Sequence, residues 1–272
     1  MTSGRRALRS PSFVLGMGLL SAVVVGMALT PLSPYDPVAV NLSEALQPPN
    51  ASHWLGTDNL GRDVLTRVMA AAWIDLQIAL VCVALPFALG SVIGAVSGYV
   101  GGRTDAIVMR VVDILWAFPF YVLVVAIVGS LGPGIVNMYL AFTLVVWISF
   151  ARIVRGEVLV VKRAEYVLAA RLLGFSHPRI VLRHILPNVI TPAIIYAMAD
   201  VVLTIVAVTS LSFLGLGIQP PAAEWGLMIA EGRNFIFDAW WISTFPGLAI
   251  ILVGIAFTLL GDGLDDVLRP KG

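Results

Sequence analysis

Residues 165–187 read EYVLAARLLGFSHPRIVLRHILP, a short charged stretch set between long apolar runs. Positions 163–173 are rich in helix formers, among them Ala164, Leu168, Ala169, Ala170, Arg171 and Leu172. Gly174 suits the position that ends such a helix, because glycine takes positive φ without a Cβ penalty. Ser176 is placed to cap a second helix, with Pro178 tolerated in its first turn. Pro187 is expected to kink or break the path onward. The expected product is a helix–turn–helix hairpin. Ala169 and Ala170 are small enough for a partner's backbone to come close, and Tyr166, Val167 and Leu173 offer apolar contacts. Exposed apolar residues amid seven basic ones between 152 and 183 indicate a protein-binding surface. The competing reading is a basic loop held against anionic lipid headgroups.

The rest of the chain says where this hairpin sits. Of 272 residues, 59% are hydrophobic and 12% charged, and mean hydropathy is +0.94. A soluble domain carries about twice that charged fraction, roughly 25%. Residues 10–35, 76–102, 114–151 and 239–261 contain no charge. Crossing ~30 Å of hydrocarbon takes about 20 helical residues. The third run has room for two spans, with GSLGPG at 129–134 as the turn between them. A further span over 188–210 is interrupted only by Asp200. The expectation is an all-α polytopic membrane protein, a single transmembrane domain over 1–272. Its six transmembrane helices are expected near 12–31, 76–98, 106–128, 135–152, 188–210 and 242–261. Continuous apolar runs favour helices over the alternating pattern of a barrel.

With the N-terminus inside, fourteen of the seventeen lysines and arginines fall on the cytoplasmic side, including Arg5, Arg6, Arg9, Arg269 and Lys271. Only Arg62, Arg67 and Arg233 fall outside. This asymmetry places both termini and the 156–187 loop in the cytoplasm. The basic N-terminus also resembles a signal peptide, but the apolar stretch is longer than a typical h-region and further spans follow, so an uncleaved first span is expected. The one cysteine, Cys82, lies mid-span and reads as a small buried hydrophobe.

Two extracytoplasmic segments stand out. HWLGTDNLGRDVLTR at 53–67 begins with turn signals, and Thr57 or Asp58 can cap a helix whose Leu60, Val64 and Val68 share a face. Read alone, it is an amphipathic helix lying on the membrane surface. LSFLGLGIQPPAAEWGLMIAEG at 211–232 is too polar to span and too apolar to float free. Gly215 and Gly217 permit positive φ or close approach, Pro220-Pro221 forces an extended corner, and Trp225 opens a short helix. A re-entrant or rim-packed loop over the outer mouth is expected. Trp240 and Trp241 suit the interfacial aromatic belt.

These two motifs, together with AA-x3-G at 169–174 and Leu186-Pro187 twelve residues after the glycine, resemble the dipeptide/oligopeptide/nickel family of ABC importer permeases, in its second-subunit branch. The similarity runs from about residue 53 to residue 269. It implies a type I ABC importer permease fold in a bacterial inner membrane. It also implies a homologous permease partner, two ATP-binding subunits and an extracytoplasmic substrate-binding protein. By the same resemblance, Ala169, Ala170 and Gly174 belong to a coupling helix that docks on the ATPase. Leu168 stands where the motif has glutamate, and Val208 where relatives often carry an acid. The resemblance implies transport of short peptides or a related small solute such as haem or a nickel chelate.

No G-x-x-x-x-G-K-[ST] segment is present, so ATP hydrolysis is expected in separate subunits and no catalytic residue in this chain. No metal site is expected from His53, His177, His184 and Cys82, and no cofactor or nucleic-acid partner; membrane lipid is the remaining partner. Asp113, three residues after Arg110, is expected to pair with it. Asp200, close to mid-span, is expected either to hydrogen bond a neighbouring helix or to line the translocation pathway and attract a cationic group. An ion-coupled secondary transporter using Asp200 is the alternative function. A single intramembrane acid and the lack of an inverted repeat count against it.

Overall fold

The computed structural model describes residues 10–268. Arg5, Arg6, Arg9, Arg269 and Lys271 of the charge argument lie outside the described residues. Among those described, eleven α-helices follow one another, and the sole β feature is a bridge between Thr57 and Asp63. Helix α1 is Pro11–Leu29, α2 Val64–Val100, α3 Gly102–Trp116, α4 Phe120–Leu131 and α5 Ile135–Val161. The 165–187 hairpin contains α6 Glu165–Leu172 and α7 His177–Ile180, followed by a π turn over Val181–Ile185 and α8 Leu186–Val189. Then come α9 Thr191–Phe213, α10 Trp225–Gly232 and α11 Trp241–Leu268.

Four helices are long and apolar enough to cross a membrane: α1, α2, α9 and α11. The pair α3 and α4 makes a fifth span if counted together, although its halves meet at 86°. The span expected at 135–152 is the first two thirds of α5, a 27-residue helix that buries one face inside the protein. The expected continuous helix over 106–128 is thus replaced by a bent pair. Its break spans 117–119, where Pro119 has no N–H to donate and biases Phe118 away from helical ψ.

Helix α2 starts far earlier than the expected span at 76. Its 37 residues extend ~55 Å at about 1.5 Å per residue. The expected surface helix is therefore absorbed into the first turns of α2. Neither Thr57 nor Asp58 caps it. Asp63 does, with Oδ2 accepting from the Thr66 N–H at 2.8 Å and the Thr66 hydroxyl at 2.7 Å. Asp58 is engaged elsewhere, accepting from the Leu60 and Arg62 N–H groups and from Arg62 Nε at 2.6 Å. Val64, Thr66, Arg67 and Ala71 are buried, so this segment does not lie on lipid.

The core runs along the seam between α2 and α5. Gly90, Gly94 and Gly98 recur at every fourth position on α2. A Cβ on Gly90 would stand 2.2 Å from the Trp147 carbonyl oxygen, and one on Gly94 would stand 2.4 Å from that of Ala151. Small residues on one face let two helix backbones approach where lipid supplies no hydrophobic drive. Helix α9 packs against α2 and α11, while α1 lies at the periphery against α11 and α2. Cys82 is buried in this core, as its sequence context indicates. Asp113 pairs with Arg152 of α5 rather than with Arg110 on its own helix, and Asp105 takes Arg155 at 2.6 Å. Both pairs tie α3 to the second half of α5.

Candidate coupling hairpin and translocation cavity

The hairpin forms where the sequence puts it. Helix α6 ends in a Gly174 turn with φ +76°. The Phe175 N–H reaches back to the Ala170 carbonyl at 3.2 Å, and the Gly174 N–H to that of Arg171 at 3.0 Å. Ser176 occupies the cap position of α7 in extended conformation, but its side chain makes no capping bond. Pro187 does not break the path. The Leu186 N–H bonds the Val181 carbonyl, an i→i−5 step whose wider turn accommodates the proline behind it. The chain therefore stays helical from the hairpin almost to α9.

Two faces divide the hairpin residues. Tyr166, Leu168, Ala169 and Gly174 are exposed, and beside them Leu172 and Leu173 are 90% and 73% exposed. Val167 and Ala170 are instead buried, in a cluster with Ile180, Val181 and Ile185. Their contact is with their own chain. The outward face of the hairpin is therefore the exposed set. The hairpin is also tied to α2: Tyr99 Oη and His177 Nδ1 are hydrogen bonded at 2.9 Å, and the Arg171 guanidinium lies 4.8 Å above the Tyr99 ring. Lys162 donates to the Gly98 carbonyl at 2.7 Å.

Past the hairpin, α9 forms one wall of a cavity of about 630 Å³, within the roughly 300–1,000 Å³ usual for small-molecule sites. The bend between α3 and α4 forms another wall, placing Trp116, Phe118, Phe120 and Tyr121 on it. Non-helical backbone at membrane depth is tolerated where it lines a cavity. Helix α5 adds Ser149, and α9 adds Tyr196, Asp200, Thr204 and Ser210. Among the described lining residues, Asp200 alone carries a formal charge. It is 6% exposed, and its Oδ2 has no hydrogen-bond partner. An unpartnered buried polar atom costs about 1–3 kcal/mol. Val208, two turns further along α9, is buried in the core.

At the far end of α9, Gly215 takes φ +78° and ends the helix, and Gly217 lies so close that a Cβ would stand 2.6 Å from Ser212 Cα. The Pro220-Pro221 bond is cis, and both prolines are exposed. Trp225 is pinned rather than free: it is 1% exposed, its N–H donates to Asp75 Oδ2 and its indole to the Val68 carbonyl, each at 3.0 Å. Glu224 caps α10 through the Gly226 and Leu227 N–H groups. Trp241 likewise leaves the expected aromatic belt, being buried with its indole on the Thr57 carbonyl at 2.9 Å, while Trp240 stays half exposed.

A buried ion network missed at the sequence level joins the 53–67 and 211–232 segments. Arg62 bridges Asp58 and, at 2.8 Å, Glu231, and Arg67 reaches the same Glu231 at 3.4 Å. The available signal was the pairing of unexplained charges, LGRD in one outer motif and AEG in the other. Trp225→Ala is expected to lower stability by about 3–5 kcal/mol through the cavity it leaves. Thermal unfolding of the detergent-solubilised protein measures this; an unchanged midpoint would mean that α10 is held by the ion network alone.

Residues 90–271 match the family described as binding-protein-dependent transport system inner membrane component. The chain is 41% identical over 263 residues to a probable D,D-dipeptide transport system permease protein of Escherichia coli (strain K12), covering 96% of this chain and 88% of that protein. It is 40% identical over 269 residues to a dipeptide transport system permease protein of Bacillus subtilis (strain 168), covering 98% and 84%. With a nickel transport system permease protein of E. coli K12 it shares 42% identity over 237 residues, covering 87% and 86%.

Proposed function

This chain belongs to the family of binding-protein-dependent transport system inner membrane components, and from that premise we propose that it is the membrane permease of an ATP-driven importer of short peptides. The observation that carries the reading is mechanical. An exposed apolar tip, Leu172 and Leu173, is joined through a nearly unbroken helical path to α9, which lines the cavity. Helix α6 packs against α7, which makes the hairpin one body. An ATPase subunit gripping the tip moves that body, and the π turn passes the movement to α9 and Asp200.

ATP hydrolysis belongs to two separate subunits. A homologous permease closes the open side of the cavity, and an extracytoplasmic binding protein delivers the solute above α10. Rocking of the two permeases then alternates access. The relatives named for dipeptides and nickel bracket the solute class, with dipeptides the first choice. Reconstitution with the ATPase and binding protein into vesicles tests this. ATP-dependent uptake of a labelled dipeptide is expected. Uptake driven by an ion gradient without the ATPase would overturn it.

The hairpin and both termini are placed in the cytoplasm. Ser176→Cys introduces an exposed thiol into a chain whose one native cysteine is buried. It is expected to react with an impermeant reagent only after the cells are opened. Labelling of intact cells would invert the topology.

A further inference from the structure

We infer that Asp200 and the aromatic rings around it form a seat for the positively charged ammonium group of the transported solute. The inference rests on the importer reading above and adds the chemistry by which the cavity recognises its cargo. Three observations point to a cation. Asp200 is the one formally charged residue among the described lining residues, and no lysine or arginine lines the cavity. The cation closest in sequence on the neighbouring α5, Arg152, lies 4.4 Å above the Trp116 ring and is already paired with Asp113. The negative charge at Asp200 is therefore not offset from that side.

The second observation is the unmet acceptor. Asp200 Oδ2 has no donor among the described residues, although Ser149, Thr204 and Tyr196 also line the cavity. A buried acceptor left without a partner favours a ligand that brings N–H donors. The third is the wall opposite. Phe118, Phe120 and Tyr121 come from the bend between α3 and α4, and their π faces attract cations once a partner permease covers the open side of the cavity. An ammonium supplies three donors and one charge, which suits both features. An anion would meet Asp200 and find no counter-charge. A neutral amide would satisfy one hydrogen bond and gain nothing from the charge.

The test reads occupancy as well as transport. The assembled complex is treated with a hydrophobic carbodiimide, which modifies carboxyl groups in apolar sites, and labelling of the Asp200 peptide is followed by mass spectrometry. Alanyl-alanine is expected to protect Asp200, and N-acetyl-alanyl-alanine, of similar shape without the ammonium, is expected not to. In vesicles, Asp200→Asn is expected to lower dipeptide uptake roughly tenfold or more, the loss of one charge-assisted hydrogen bond, while Asp200→Glu keeps a substantial rate. Equal protection by both peptides, protection by neither, or wild-type uptake by Asp200→Asn would each overturn the seat. If Asp200→Asn fails to assemble, the protection experiment on the unmodified complex decides. Failure of the importer reading is seen separately, as absence of ATP-driven uptake by the wild-type complex.

Discussion

Aspartates in place of Leu172 and Leu173 are expected to abolish ATP-driven uptake while leaving membrane insertion intact. Both side chains project from the hairpin almost free of their own chain, so the change costs little in folding. Buried in a partner groove, each leucine contributes about 1.5–3 kcal/mol. Losing both, and placing charges there instead, weakens docking by two or more orders of magnitude, since about 1.4 kcal/mol is tenfold. Co-purification of the ATPase and uptake should fall together. Normal co-purification would show that the tip is not the docking face. Gly174 gives a matched control. Its φ of +76° is the whole constraint, because nothing lies within 4 Å of where a Cβ would be. Gly174→Asn should be tolerated, since asparagine adopts this conformation. Gly174→Val should re-aim the tip, at a strain of about 1–3 kcal/mol, and reduce coupling without loss of the chain.

Gly94→Leu is expected to prevent accumulation of folded permease. Its Cβ would stand 2.4 Å from the Ala151 carbonyl oxygen and 2.9 Å from Ala151 Cα, both backbone atoms that no rotamer change can move. Helices α2 and α5 would have to separate, uncoupling Gly90 and Gly98 as well. Overpacking alone costs about 1–3 kcal/mol, and the lost seam adds to it. Gly129→Leu on α4, where nothing lies within 4 Å, is the control and should behave as wild type. Size-exclusion profiles of fluorescently tagged variants distinguish the two. A monodisperse Gly94→Leu peak at wild-type yield would show that the α2–α5 seam is not what holds the fold.

Much of this protein is legible along the chain because the bilayer imposes a local rule. A span must be apolar for about 20 residues and must satisfy its own backbone, so composition alone locates α1, α9 and α11. The hairpin is legible for a similarly local reason. Helix formers, a positive-φ glycine and a proline in a first turn act within four residues of themselves, and Gly174 and Pro178 sit where that chemistry puts them. The Gly90–Gly94–Gly98 stripe was also there to be read as a helix-packing face.

What lies across the chain was not legible. Sequence periodicity says that one face of α6 is apolar but not which apolar residues meet a partner and which meet the second arm, so Val167 and Ala170 could be placed inside only by the fold. Asp113 chose Arg152 over Arg110 because the fold lays α3 against α5, a pairing across 39 residues of sequence. Proline 119 announces a break, but that the break turns the chain by 86° and carries four aromatic rings towards Asp200 depends on what α5 and α9 leave unfilled. Sequence by itself determined the apolar stretches of α1, α9 and α11, the hairpin and its turn, since those follow from hydration and backbone dihedrals of near neighbours. Only the tertiary structure decided the cavity, the buried ion network of Arg62 and Arg67 with Glu231, and which face of the hairpin is exposed. Each is a juxtaposition of residues far apart in the chain, fixed by packing that no local propensity encodes.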